Sequence, residues 1–218
     1  DAAVITVNVT AAVIDAANDG PFSINGTNGS ASVVNAFAND SLNGVAVNAA
    51  GSRVYVANGN AGSVSVIDTT SNLVVETIAL GSNPAGLAVT PDGTRVYVTM
   101  TFDNSVIVID TAGNAIVATV AVANPFGIAV GPDGQRVYVG TDSFGGPLSV
   151  IDTASNTVVA SVAVGNVPRG VAVHPGGSRV YVANQFSGTV SVLDTFDNTI
   201  VATVPVGISP YGVAVDPA

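Results

Sequence analysis

The sequence predicts an all-β fold, a β-propeller built of four-stranded blades. Three observations point there. A unit of about 42 residues recurs in tandem, each unit holds four short runs rich in valine, and Gly, Pro, Asn and Asp separate those runs. A period near 42 with four strands is what a propeller blade requires.

The units lie at 43–83, 84–124, 125–167 and 168–209, and residues 210–218 begin a fifth. In the second unit the runs are GLAV, TRVYVTM, NSVIVID and IVATVAV. β-Branched residues suit a pleated, half-buried surface, so each run reads as a strand. The first is the innermost. Its Gly-x-Ala-Val motif begins at Gly44, Gly86, Gly127, Gly170 and Gly212, and places Ala46, Ala88, Ala129, Ala172 and Ala214 on what would be a crowded ring axis. Between the first and second runs, Pro91-Asp92-Gly93 and Pro132-Asp133-Gly134 carry turn chemistry, because proline presets φ and glycine accepts a positive φ. The second run opens on Arg53, Arg95, Arg136 or Arg179. The third closes on Asp68, Asp110, Asp152 or Asp194, spaced 42 apart each time. Each arginine is expected to bridge to a strand-end aspartate of its own or a neighbouring blade, as a recurrent charge-assisted pair. The aspartates are also expected to cap the following turn.

These motifs carry a resemblance. Val-Tyr-Val-Ala-Asn at 54–58 and 180–184, Val-Tyr-Val-Thr at 96–99 and Val-Tyr-Val-Gly at 137–140, with the PDG and VIDT elements, resemble the YVTN-type β-propeller repeat family. The resemblance covers residues 43–218. It implies a surface-layer-like or other extracellular protein of archaea or bacteria, and it transfers no catalytic motif.

Five inner strands against four complete sets of outer ones leave the last blade unfinished, and an unpaired sheet edge is a liability. The expected supplier is the divergent segment 1–42, giving one propeller domain over 1–218 with five blades, the last shared between the two chain ends. Ala2–Asn8 and Ser30–Ala38 read as strands, and Val13–Asn18 echoes the VIDT turn. The polar stretch Asn18–Ser30 reads as an insertion. Two alternatives stand beside this. The strands of 1–42 complete the blade of another molecule, giving a chain of subunits, or they end a neighbouring immunoglobulin-like domain and the repeats belong to a larger propeller.

Composition removes several functions. The chain of 218 residues has a formal charge of −10, five basic residues, all arginine, and no cysteine. Nucleic-acid binding lacks a basic face, and disulfide scaffolds and thiolate metal sites lack their ligands. No apolar run approaches the length of a membrane-spanning helix. The lone histidine, His174, sits at a turn position taken by Asn48, Thr90, Gly131 and Asp216 elsewhere, and reads as a solvated turn residue. Triads and zinc sets therefore lack members. A two-carboxylate mechanism keeps its residues, with Asp103, Asp142 and Asp197 in loops of single units. The acidic stretch from Asp15 to Gly20 lacks the spacing of a calcium loop.

Two irregularities remain. Arg169 replaces Ala85, Phe126 and Tyr211 at a mouth of the ring and reads as a solvated loop residue or a mark of a contact surface. Four N-x-[ST] sequons, at Asn8, Asn25, Asn28 and Asn39, crowd the first 41 residues and are glycosylation candidates if the chain is secreted. The expectation is a non-catalytic structural or adhesive propeller without cofactor or metal, self-associating into a cell-surface layer or filament. The alternative is a module that binds glycan or protein on a propeller face.

Overall fold

The computed structural model describes residues 23–25, 31–33 and 42–216, and all their regular structure is β. The short strands β1 (Ser23–Asn25) and β2 (Ala31–Val33) form an antiparallel hairpin. Four antiparallel sheets of four strands follow, each drawn from one repeat and each in simple meander order. The first blade holds β3 (Leu42–Val47), β4 (Arg53–Asn58), β5 (Ser63–Asp68) and β6 (Leu73–Ala79). The second holds β7 (Pro84–Val89), β8 (Arg95–Met100), β9 (Ser105–Asp110) and β10 (Ala115–Ala121). The third holds β11 (Pro125–Val130), β12 (Arg136–Thr141), β13 (Pro147–Asp152) and β14 (Thr157–Ala163). The fourth holds β15 (Pro168–Val173), β16 (Arg179–Asn184), β17 (Thr189–Asp194) and β18 (Ile200–Pro205).

The blades stand side by side through their inner strands, β3 next to β7, β7 next to β11 and β11 next to β15. The motif glycines permit this approach. A Cβ on Gly44 would lie 2.8 Å from the Ala85 carbonyl oxygen, and one on Gly170 would lie 2.6 Å from that of Tyr211. On Gly127 it would collide with the carbonyl of Arg169.

Strand alternation gives each blade two unlike apolar faces. In β4 and β5, Tyr55, Ala57, Val64 and Val66 point one way, and Val54, Val56 and Ile67 the other. The tyrosine face of each blade packs on the valine face of the next. Tyr55, Val64 and Val66 meet Val96, Val98 and Ile109. Tyr97, Val106 and Val108 meet Val137, Val139 and Ile151. Tyr138, Leu148 and Val150 meet Val180, Val182 and Leu193. The core is thus a series of dry interfaces between wedges, and this repetition of one contact builds the arc.

Two local devices recur. The outer strand of every blade carries a bulge at Val75, Val117, Val159 and Val201, where the register against the third strand slips by one residue. A bulge disrupts the ladder and blunts an edge strand against pairing with another sheet. The turn before each outer strand places Asn72, Asn114, Asn156 or Asn198 at positive φ, a conformation asparagine tolerates.

Two expectations meet described residues at the chain ends. The stretch Asn18–Ser30, read as an insertion, contains β1, and only Ala31–Val33 of the expected strand Ser30–Ala38 is described, paired with β1. The fifth inner segment runs beside β15, as its contact with Gly170 shows, but forms no ladder strand. Residues 210–216 belong to none of the ladders among the described residues. The other expected strands of 1–42, Ala2–Asn8 and the VIDT echo, lie outside the described residues.

Candidate functional site

The two ends of the ring differ in chemistry. At one end lie the turns between first and second strands and between third and fourth. Here Arg53 pairs with Asp68, Arg136 with Asp152 and Arg179 with Asp194, as the sequence suggested. The second carboxylate oxygen of Asp68 accepts from the backbone N–H groups of Thr70 and Ser71 at 3.0 and 2.8 Å. Asp152 accepts in the same way from Ala154 and Ser155 at 3.1 and 2.8 Å. These backbone donors, Ser71 for Asp68 and Ser155 for Asp152, are the main reason both carboxyls titrate below the ordinary range, with the paired arginines adding to it.

Arg95 and Asp110 do not join. Arg95 reaches into the third blade and donates to the Thr153 carbonyl at 3.1 Å, while Asp110 accepts from the Gly113 N–H at 2.9 Å. Tyr97 follows Arg95 across the interface, donating to Asn156 Oδ1 at 3.0 Å. The sequence reading missed a further lock. The threonine of each VIDT motif (Thr69, Thr111, Thr153, Thr195) donates to Gly51, Gly93, Gly134 and Gly177 carbonyls at 2.7–2.8 Å, tying the two turns of each blade. A hydroxyl at a fixed place in every repeat was the available signal. His174 is half-buried at its turn, and its Nδ1 accepts from the Gly176 N–H at 3.0 Å.

The opposite end carries the loops between second and third strands and the links from one blade to the next. Arg169 is not a free charge there. Its Nε and Nη2 donate to one oxygen of Asp142 at 3.0 and 2.7 Å. Its guanidinium lies 4.9 Å from the ring centre of Phe126 and 5.3 Å from that of Tyr211. Those two rings meet edge to face at 6.0 Å. A planar cation held between π faces and a carboxylate is a rigid arrangement. It closes one mouth of the inner-strand row and fixes Tyr211, and with it the fifth inner segment, against the third and fourth blades. Farther out, Phe102, Phe144 and Phe186 stand in equivalent loops and are 75, 72 and 61% exposed. The last two touch, with ring centres 4.9 Å apart.

A third feature is the tyrosine face of the fourth blade. Tyr55, Tyr97 and Tyr138 are buried, but Tyr181 is only half-buried. Val190 and Val192 are half-buried where Val64, Val66, Val106, Val108, Leu148 and Val150 are buried, and Val204 is exposed where Ile78 and Val120 are buried.

Asp103 accepts from the Ser82 hydroxyl across the first blade junction. Asp197 accepts from the hydroxyl and the backbone N–H of Thr199, in that order the causes that lower its carboxyl's titration. Among the described residues no group of three His, Asp or Glu side chains is placed to hold a metal ion. Asn25 ends β1, while Asn8, Asn28 and Asn39 lie outside the described residues.

No protein-family model and no curated protein matches this chain. Solved structures do. The chain is similar to hydrazine synthase of Kuenenia stuttgartiensis with a TM-score of 0.73 and 25% identity, over 81% of this chain and 53% of that one. It is also similar to a functionally unknown protein of Desulfotomaculum acetoxidans, with a TM-score of 0.66 and 21% identity over 79% and 57%. The chain spans a little over half the length of these proteins, and what they share with it is the propeller-like arrangement of four-stranded sheets.

Proposed function

We propose that this protein is a non-catalytic structural or adhesive propeller of the cell exterior, a subunit of a surface layer or filament whose copies join at the fourth blade. The reading rests on one observation. The tyrosine face of that blade repeats the chemistry of three buried interfaces, yet among the described residues Tyr181, Val190, Val192 and Val204 remain partly or largely open. Burial of apolar area contributes about 25 cal/mol per Å², so this face gains stability from a cover of the kind each earlier blade already has. A strand set from another copy, beginning beside Pro210–Asp216, supplies that cover and extends the arc. The YVTN-type sequence resemblance supports an exterior location, and the charge of −10 keeps separate copies soluble until the ordered contact forms. A structural role also agrees with the described aspartates, most of which are engaged by their own turns or by arginine.

Light scattering across a concentration series, followed by electron microscopy, tests the reading. The wild-type mass should rise with concentration and yield elongated or sheet-like particles. Val192→Asp places a charge on the open face and should hold the protein at one mass while leaving its β-sheet circular dichroism intact. A wild-type chain of constant mass over the whole series would sink the proposal.

A further inference from the structure

Tyrosine fills the blade interiors and phenylalanine stands in water, the reverse of the usual burial order of these two residues. Tyr55, Tyr97 and Tyr138 are core residues, whereas Phe102, Phe144 and Phe186 project from the same loop of three consecutive blades. No folding role accounts for three exposed rings at repeat-equivalent positions on one end of the ring.

The loops that carry them are held in place. Asn166 Oδ1 accepts from the Gly145 N–H at 2.9 Å, and Ser187 Oγ accepts from the Asn166 N–H at 2.8 Å. The Phe186 N–H donates to the Asn166 carbonyl at 3.2 Å, and Asn104 Oδ1 accepts from the Asn124 N–H at 2.8 Å. A surface fixed in this way loses little entropy on contact, which favours binding.

We infer that this end is a binding face for neutral polysaccharide, with Phe144 and Phe186 as its central shelf and Phe102 as a flanking platform. The argument is one of chemistry and charge. A pyranose ring has an apolar C–H face edged by hydroxyls. The end of the ring offers apolar rings on loops that also carry the amides and hydroxyls of Asn104, Ser143, Asn166, Ser187 and Gln185. Among the described residues its two nearby acids are Asp142, neutralised by Arg169, and Asp103. No lysine exists anywhere in the chain, so the face attracts neither phosphate nor sulfate, and an anionic ligand would be repelled by the net charge. The same lack of cations disfavours a bilayer, whose headgroups loop aromatics usually meet together with Lys or Arg. The inference is independent of self-association, because the aromatic end and the open blade face are different surfaces.

The test uses the full chain at a concentration where it has a single mass. It is incubated with insoluble cellulose, with chitin and with phosphatidylcholine vesicles, and the bound fraction is measured by sedimentation. Retention on at least one of the two polysaccharides is expected. The double variant Phe144→Ala/Phe186→Ala should weaken that retention about tenfold without lowering the melting temperature. Phe196→Ala, at the opposite end and 97% exposed, should leave retention unchanged. Absence of retention on both polysaccharides overturns the inference. So does retention on vesicles alone, or equal loss in the Phe196 variant.

Discussion

Asp68 and Asp152 each hold a turn with one oxygen and an arginine with the other, and both titrate below the ordinary carboxyl range. Asp92 behaves likewise because the Thr90 hydroxyl and then the Thr94 N–H donate to it. A depressed folded-state value means the contribution to stability is complete above the unfolded carboxyl value, about 4, and is lost as pH falls through the lower folded value. Thermal melts should therefore fall steeply below about pH 4, and Asp152→Asn should make that acid limb shallower. A melting temperature that keeps rising down to pH 2 would show that relief of the net negative charge outweighs these turns. At this scale the sequence was partly legible. A repeated Arg and Asp in register predicted four ion pairs, because both flank the same two strands, and three of them form. It did not predict that Arg95 would cross to Thr153, because side-chain choice between two nearby acceptors depends on interface packing. Arg169 was visible as an anomaly, but its clamp on Phe126, Tyr211 and Asp142 needed three separate repeats brought together in space.

Single strands and turns were the most legible scale, since period-2 patterning and turn residues act locally. The four outer-strand bulges escaped notice because a bulge is a property of pairing between two strands, and Val75, Val117, Val159 and Val201 look like ordinary strand valines. The motif glycines show the opposite case, where repetition alone signalled a close approach of backbones. Gly127→Ala would drive a Cβ into the Arg169 carbonyl. Overpacking of this kind costs about 1–3 kcal/mol, a loss of roughly 2–10 °C in melting temperature for a chain of this size. Calorimetry on Gly127→Ala checks it, and the control is Gly51→Ala, where a Cβ has open space but meets a strained positive φ of 68°. Equal stability of wild type and Gly127→Ala would mean the inner strands stand farther apart than described.

For the whole molecule, the tandem units predicted the arc, and the count of five inner strands against four outer sets predicted an unfinished last blade. The structure places Tyr211–Val213 beside Gly170 but gives the segment no ladder. Sequence reading left three ways of completing it, because complementarity of strands is encoded locally while the choice of partner is a matter of concentration and geometry. The proposed assembly requires that the tyrosine face of every blade be covered and that the fourth obtain its cover from another copy. Amide hydrogen exchange, read by peptide in dilute and in concentrated protein, tests this most directly. The account predicts that residues 181–193 and 206–216 exchange faster than their counterparts in the first three blades when dilute, and become protected as concentration rises. Equal, concentration-independent protection of all four blades would contradict it.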